Sequence, residues 1–490
     1  MSRGILGIDI GTGSTKAVVL DAGGRQLSVA ACAHPIEHPR RGWAETDPEE
    51  WWSSARRAVG EAVTAAGVEI CSVGLCGQMH GAVLTRADGF ALRPAVLWAD
   101  QRAETQLAHY RRLPANVAGV LGNPLVAGMT GPILYWLAEH ETPVYQQADW
   151  VMQAKDWLRL RLVGVAASEP SDASATLLYD LAGRRWAAGV INNLGLRPEI
   201  LAPIGVSGEL AGLLTAEAAQ EFGLDAGLPV GLGAGDTAAA LVGTRMVEPG
   251  LLQLTVGTGA QVAAIRRDPK PDGKRRYHVF ASALPDQFYA MSAIQAAGLA
   301  FEWAWSALGC DWPTAYAAMA RSAPGASGVS FIPHLAGARS PSMNPRATGA
   351  FIGLEMRHGR DDLIRSVFEG IAFSIREAAA ALPEFEGSSD IRLAGGGSAS
   401  RAWRQLLADV LNHPLVIVEA QNASSRGAAL FGGMAGGIVH ELPAAEAEPA
   451  ATAVCLPQTH IGAINDAYAL WLSREAELFA EAQIDKPPEA

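Results

Sequence analysis

The sequence is poor in cysteine, short of positive charge and without a long apolar run, and each scarcity removes a class of protein. Five cysteines, Cys32, Cys71, Cys76, Cys310 and Cys455, are scattered through 490 residues with no CxxC pair. An odd, dispersed set gives no disulfide framework. Cys76 lies near His80, but no second Cys/His pair completes a zinc pattern, so these are read as buried thiols. Lysine and arginine total 38 against 50 aspartates and glutamates, a net charge of -12. An acidic surface repels phosphodiester backbones and anionic lipid, which excludes nucleic acid and the membrane surface as main partners. A small anionic substrate would need a local exception to that field, from a magnesium ion or from backbone amides. No run reaches transmembrane length without a charge or turn residue, and in MSRGILGIDIG Asp9 interrupts the apolar stretch before it reaches signal-peptide length. A cytoplasmic protein is expected. Apolar residues make up 49% of the chain, ample for burial, and the length is too great for one core, so two or more domains are expected.

The stretch Gly231 to Gly243, GLGAGDTAAALVG, stands near the middle of the chain, and its only ionisable side chain is Asp236. A carboxylate set in glycine and alanine, where backbone can approach a ligand closely, is a good address for a catalytic base. The plainer account is a strand ending near Leu232, a glycine turn, and Asp236 or Thr237 capping a helix that begins at Ala238.

Ile5 to Asp9 reads as a buried strand, Gly11-Thr12-Gly13 as a turn and Ala17 to Leu20 as a second strand. The same unit recurs at Leu252 to Val256, Gly257-Thr258-Gly259 and Gln261 to Ile265, with the two turns 246 residues apart, about half the chain. A duplicated domain is the economical explanation. The counterpart of Asp9 in the second copy is Thr255, so only one copy carries a carboxylate before its turn. Two such turns can aim N–H groups and hydroxyls at a polyphosphate from both sides while Asp9 holds magnesium, directly or through water. Taken singly, each is also an ordinary hairpin. Lys16 either neutralises phosphate charge or faces solvent.

Asp47-Pro48 reads as the start of a helix running to about Ala66, with Glu49 and Glu50 in its first turn. The apolar strand Ile70 to Cys76 delivers Gly77-Gln78-Met79-His80-Gly81 onto a loop, where side chains are free to meet a ligand. LRPAVLWADQR, from Leu92 to Arg102, reads as a second strand-to-loop delivery ending in Trp98, Asp100 and Arg102. Polar groups beside an aromatic face suit a polyhydroxylated ligand; an internal Asp100 to Arg102 salt bridge is the competing account. From about Asn116 to Leu228 the pattern is mainly helical, with Trp136, Trp157 and Trp186 as core or interface aromatics. Lys270 to Arg276 reads as a solvated hairpin tip. Phe331 to Gly353 is loop-rich, and Asp361 to Leu382 is a strong amphipathic helix. Ile391 to Ala399, IRLAGGGSA, is a strand then a triple glycine before a helix from Trp403, an arrangement that suits a base or phosphate, or tight helix packing. Pro443 to Ala453 is assigned to loop or a weak helix end.

Together these segments resemble the FGGY family of carbohydrate kinases over nearly the whole chain. Gly349 to Glu369, GAFIGLEMRHGRDDLIRSVFE, fits the family's C-terminal signature, and Gly128 to His140 fits its N-terminal one except that Ile133 stands where the family has lysine. GQMHG at 77–81, Gly42-Trp43-Ala44-Glu45 with Asp47-Pro48, and Ser171-Asp172-Ala173-Ser174 are similar to the xylulokinases of that family. The resemblance implies an α/β fold of two duplicated ribonuclease-H-like domains, as in actin and hexokinase, with a catalytic cleft between them. Residues 1–246 would hold the sugar and the magnesium and phosphate site, and 247–490 the nucleotide. It implies ATP- and Mg2+-dependent phosphorylation of the terminal hydroxyl of a ketopentose, D-xylulose first, with Asp236 as base and Asp9 near the metal. Thr12, Gly13, Lys16 and Gly257-Thr258-Gly259 would meet phosphate, and Gly396 and Gly397 would lie against adenosine. Gln78, Met79, His80 and Asp236 would line the sugar site, with Trp98 and Asp100 nearby. A homodimer is common in the family.

The chain departs from the pattern at Ala99, where xylulokinases usually have asparagine, at Thr237, where they also have asparagine, and at Ala338, where the family commonly has glutamate. Ser424-Ser425-Arg426 also stands where small or acidic residues are more usual. Losing a side-chain amide removes a donor for a particular hydroxyl. Another ketose or a polyol is therefore the first alternative substrate. A non-catalytic nucleotide-dependent binding protein is the second alternative, against which the retained Asp9 and Asp236 argue.

Overall fold

Short apolar runs punctuated by glycine turns become two seven-stranded sheets built on one plan. The computed structural model describes residues 3–418, 421–442, 454–458 and 461–484; Pro443 to Ala453 lies outside them. In the first half Arg3–Ile10 (β1), Ser14–Asp21 (β2) and Gln26–Ala33 (β3) form an antiparallel meander. The helix Pro48–Ala66 (α1) returns the chain to Glu69–Gly77 (β4), which pairs parallel to β1. β1 and β4 are buried along almost their whole length, which is why both are mainly apolar instead of alternating. Leu210–Leu213 (β5), Pro229–Gly231 (β6) and Ala234–Gly235 (β7) lie beyond β4, and Asp236–Gly243 (α2) carries the chain out of the sheet.

The second half repeats this order. Leu252–Val256 (β8), Ala260–Arg266 (β9) and Phe288–Ile294 (β11) are the antiparallel meander, with His278–Ala281 (β10) added at its edge. After the helices Gly298–Leu308 (α3) and Arg360–Ala380 (α4), Ile391–Ala394 (β12) pairs parallel to β8 and Leu415–Ile417 (β13) parallel to β12. Val454–Cys455 (β14) closes the edge antiparallel, as β5 does against β6. The duplication expected from the two Gly-Thr-Gly units thus extends to the whole sheet order.

Local chemistry explains α1. Asp47 accepts the Glu49 N–H at 3.0 Å, Pro48 opens the first turn and Gly67 ends the helix in the left-handed region, a cap worth about 1 kcal/mol. Trp51 packs edge-on against Trp157, ring centres 6.1 Å apart, beneath the first sheet.

One element crosses between the halves. Ala423–Ala435 (α6), which follows Arg401–Leu411 (α5), leaves the second sheet and lies on β1, β4 and α2 of the first. The approach is backbone to backbone: a Cβ on Gly74 would stand 1.7 Å from the Ala428 carbonyl oxygen, and one on Gly427 1.9 Å from that of Ala239. Phe280, Tyr289 and Met291 of β10 and β11 share a core with Met79, Ala238 and Phe431, so the halves are joined by apolar burial beside the site.

Three expectations are corrected. Leu92 to Arg102 contains only a two-residue strand, Ala95–Val96. The span 116–228 is mainly helical in its regular elements, as expected, with short strands such as Trp150–Met152 and Leu210–Leu213 between the helices. Lys270 to Arg276 is no hairpin tip: β9 pairs with β11, and this loop passes over β11 to reach the edge strand β10. The helix after Gly235 begins at Asp236, with Gly235 as its N-cap and no side-chain cap.

Candidate active site

β-Sheet register brings Asp9 and Asp236 together. Asp9, next to last in β1, is aligned with Cys76 of β4, and Cys76 is aligned with Ala234 of β7, two residues before Asp236. Two strand spacings are about 10 Å, so the two carboxylates flank β4 at the carboxyl ends of three adjacent strands. The Oδ1 of Asp236 accepts the Thr237 N–H at 2.6 Å and the Thr237 hydroxyl at 3.2 Å, which leaves Oδ2 to take a proton. Thr237 therefore spends its hydroxyl on Asp236. Burial, then the charge of Asp9, raises the pKa of Asp236 to about 7, with the Thr237 hydrogen bonds opposing. Burial also raises Asp9, against a hydrogen bond from Cys76 and the charge of Lys16, its cross-strand neighbour on β2.

The Oδ1 of Asp9 is buried without a hydrogen-bond partner. An orphaned acceptor of this kind is satisfied by water or an ion, and magnesium takes one or two carboxylates together with phosphate oxygens and water. Asp9 fits that role. Among the described residues no group of three or more His, Cys, Asp or Glu side chains gathers to hold a metal, so a magnesium ion here would take its other ligands from phosphate and water.

The two Gly-Thr-Gly turns end β1 and β8. Their first amides are used internally, Gly11 to Ser14 at 3.0 Å and Gly257 to Gly259 at 2.8 Å. Among the described residues the N–H groups of Thr12, Gly13 and Thr258 have no partner, and the space where Gly13 would carry a side chain is open. Unpaired amides in a turn are anion-binding donors. The start of α3 closes on the second turn, Gly298 donating to Gly257 and Leu299 to Thr258, both at 3.0 Å. The triple glycine after β12 packs beside that turn: a Cβ on Gly397 would meet Val256 at 2.6 Å, whereas Gly396 faces open space.

The loop after β4 divides its work. Gln78 donates from its amide side chain to the Gly11 carbonyl at 3.4 Å and from its backbone to Ile10 at 2.8 Å, so it braces the first turn. Met79 packs on Gly235 and accepts from the Tyr289 hydroxyl at 3.6 Å, bridging the loop before Asp236 to the second half. His80 has a positive φ of 69°, and its Nδ1 lies 2.7 Å from the Ala175 carbonyl. Since that carbonyl can only accept, Nδ1 carries the proton and Nε2 is free. Burial brings the pKa of His80 down to about 4, the Ala175 bond opposing and Arg339 assisting.

Trp98 and Asp100 part company. Trp98, exposed, donates to the Thr12 hydroxyl at 2.9 Å. Asp100 is 2% exposed and accepts four bonds, from Ala44 N–H and three Arg102 donors, at 2.6 to 2.9 Å. Its lone pairs are filled, so the salt bridge is the account that holds and Asp100 has none left for a sugar hydroxyl.

Behind Asp236 lies a buried ionic cluster. The Gly235 N–H donates to the Ser171 hydroxyl at 2.9 Å, which donates to Glu169 at 2.7 Å; Ser207 also donates to Glu169, at 2.9 Å. Lys155 contacts Asp156 at 2.6 Å and Asp172 at 2.7 Å, and Arg159 bonds Asp156 at 2.8 Å and the Leu232 carbonyl at 2.7 Å. Burial pushes Asp172 well above the usual carboxylate range, Lys155 opposing. A protonated Asp172 leaves two cations facing two carboxylates, which a dry interior tolerates. Sequence reasoning singled out Ser171 and Asp172 only within a family-like run and missed Lys155, Asp156, Arg159 and Glu169, although the density of charge on a helix that also carries Trp157 and Leu158 was a signal.

A model of the FGGY family of carbohydrate kinases, N-terminal domain, matches residues 4–243, and its C-terminal counterpart matches residues 252–436. The chain is an FGGY carbohydrate kinase. It is 33% identical over 420 residues to the xylulose kinase of Escherichia coli (strain K12), which covers 84% of this chain and 85% of that relative. A crystal structure from Brucella ovis described as a xyloylose kinase matches with a TM-score of 0.89 and 30% identity, covering 97% of this kinase and 99% of that chain. The gluconokinase of Bacillus subtilis (strain 168) is 27% identical over 452 residues, 88% of this kinase and 87% of that relative. The fold is the two-domain sugar-kinase fold, and the enzyme is a phosphotransferase acting on a sugar and ATP.

Proposed function

We propose that this kinase transfers the γ-phosphoryl group of ATP to the terminal hydroxyl of D-xylulose, giving D-xylulose 5-phosphate and ADP. The observation that carries the reading is the paired environment of Asp236 and Asp9, a half-buried base with one free oxygen beside a carboxylate with an orphaned one. The similarity to xylulose kinases favours a pentulose as acceptor. The free amides of Thr12, Gly13 and Thr258, with Lys16, hold the phosphates from both halves, and Gly396 lies by the nucleotide. A magnesium ion at Asp9 would neutralise phosphate charge.

Phosphoryl transfer through a loose transition state asks mainly for in-line positioning and charge neutralisation. The sugar oxygen bonds to phosphorus as the bond to ADP breaks, and its proton passes late to Oδ2 of Asp236. A weak base suffices when it is well placed. Met79 and Tyr289 exclude water from this end of the cleft, which suppresses transfer to water.

ATP turnover with magnesium, with and without D-xylulose, tests the reading. Strong stimulation by xylulose, lost in Asp236→Ala with ATP binding retained, supports it. A preference of about tenfold or more for gluconate, another ketose or a polyol, about 1.4 kcal/mol, would replace the substrate and keep the chemistry.

A further inference from the structure

Arg339 takes no part in the chemistry described so far. It sits between the strands Ser330–Ile332 and Ala350–Ile352 of the second half. The next residue pins this loop to β11: the Ser340 N–H donates to the Ala293 carbonyl at 3.0 Å, and the Ala293 N–H donates to the Ser340 hydroxyl at 3.1 Å. The guanidinium reaches the first half, its central carbon 5.8 Å from the centre of the Trp98 ring. The backbone nitrogen of Trp98 is 3.9 Å from where Gly81 would carry a Cβ, so Arg339, Trp98 and the His80–Gly81 loop form one wall.

Among the described residues no carboxylate comes within ion-pair distance of Arg339, and burial alone governs its ionisation. Arg339 is half-buried, and a guanidinium partly withdrawn from water without a counter-charge costs stability, which a ligand oxygen would offset. Its charge acts on His80 and on His278, whose Nδ1 lies 3.0 Å from Asn123 Oδ1. Trp98 also donates to Thr12 of the first Gly-Thr-Gly turn, so this wall borders that turn on one side and the His80 loop on the other.

Donor and acceptor roles at the wall are fixed. The neutral His80 ring holds its proton on Nδ1 against Ala175 and offers Nε2 as an acceptor. Arginine has five donors and no acceptor. An acceptor beside a donor-only fork matches a hydroxyl next to an sp2 oxygen. We propose that Arg339 and His80 form a subsite for the α-hydroxycarbonyl end of the acceptor, its hydroxyl donating to His80 Nε2 and its carbonyl or carboxylate oxygen accepting from Arg339. The inference rests on the kinase reading and adds which end of the sugar is recognised. An open-chain ketose and an aldonate both present this pair, and an alditol does not.

Calorimetric binding without nucleotide tests it and needs no turnover. D-xylulose, D-gluconate and xylitol are titrated into the wild-type kinase, Arg339→Ala and Arg339→Lys. The wild type is expected to bind the ketose or the aldonate at least about tenfold more tightly than xylitol, and the tighter of the two names the source of the oxygen. Arg339→Ala should weaken that ligand about tenfold or more and shrink the preference over xylitol, and Arg339→Lys should recover part. Unchanged affinity in Arg339→Ala, equal wild-type binding of xylitol, or no binding of any of the three would overturn the proposal. Unfolding temperatures of the variants show that each is folded, which the lack of an internal partner for Arg339 leads one to expect. Binding without ATP turnover would sink the kinase reading and leave the subsite standing.

Discussion

Asp236 sits under opposing demands. Its folded pKa of about 7 against 3.8 for a free aspartate means that the fold resists its ionisation. The sign follows: the cost is absent below about pH 4, grows between pH 4 and 7 and is complete above. Asp236→Asn removes it, so at pH 8 the ligand-free variant should be more stable than the wild type by on the order of 2 kcal/mol after allowance for cleft water, read as a higher unfolding temperature. The difference should vanish as pH approaches 4, and a variant less stable at every pH would contradict the assignment. Catalysis runs the other way, since only the carboxylate accepts a proton. kcat/KM for the sugar should fall on the acid side of about pH 7, and Asp236→Asn should lose about a hundredfold or more in kcat. A pH-independent rate from 5 to 8 would remove Asp236 as base. Residue identities were legible at this scale because the candidates are ionisable groups beside glycine. Asp100 shows the limit: a contact to a polyhydroxylated ligand and a salt bridge could not be told apart until its four donors were located.

Among elements, the first two strands and the turn of each meander were legible because their information is local: an apolar run, Gly-Thr-Gly, another apolar run. α6 was not. Its alanines and glycines satisfy a helix anywhere, and only the fold reveals that Gly74 and Gly427 mark where backbone meets backbone. Gly74→Ala or Gly427→Val should therefore cost about 3 kcal/mol or more, since a Cβ at under 2 Å from a carbonyl oxygen forces the helix off the sheet. Chemical denaturation of each variant checks this, and a change below about 0.5 kcal/mol would mean that α6 yields freely. The buried cluster of Lys155, Asp156, Arg159, Glu169 and Asp172 was hidden for a related reason: charge on a helix is ordinarily read as a solvated face, and burial comes from tertiary partners. Ser171→Ala would remove the support of the Gly235 N–H and should lower kcat more than it changes KM for ATP, a split that steady-state kinetics resolves.

For the whole molecule, the duplicated plan puts turn amides without a partner among the described residues in both halves, Thr12 and Gly13 in one and Thr258 in the other, where the proposed function has them hold phosphate. Polyphosphate and sugar held together are expected to draw the halves in. Small-angle scattering should give a smaller radius of gyration with sugar and a non-hydrolysable ATP analogue than with either alone. No difference would mean that the described arrangement is already closed.

α2 and α6 carry a mechanical consequence. The chain leaves the first half through the end of α2 and returns to it at the start of α6, and there the two helices touch without intervening side chains, a Cβ on Gly243 falling 1.9 Å from the Ala423 carbonyl oxygen. We infer that a rotation of one half on the other would pivot at that contact. Asp236 occupies the opposite end of the eight-residue α2, about 12 Å along the axis, on a short lever arm fixed to the first half. In such a rotation the proposed base would stay with the first half while Arg339 and Thr258 moved with the second, so that phosphate would be carried to a stationary proton acceptor.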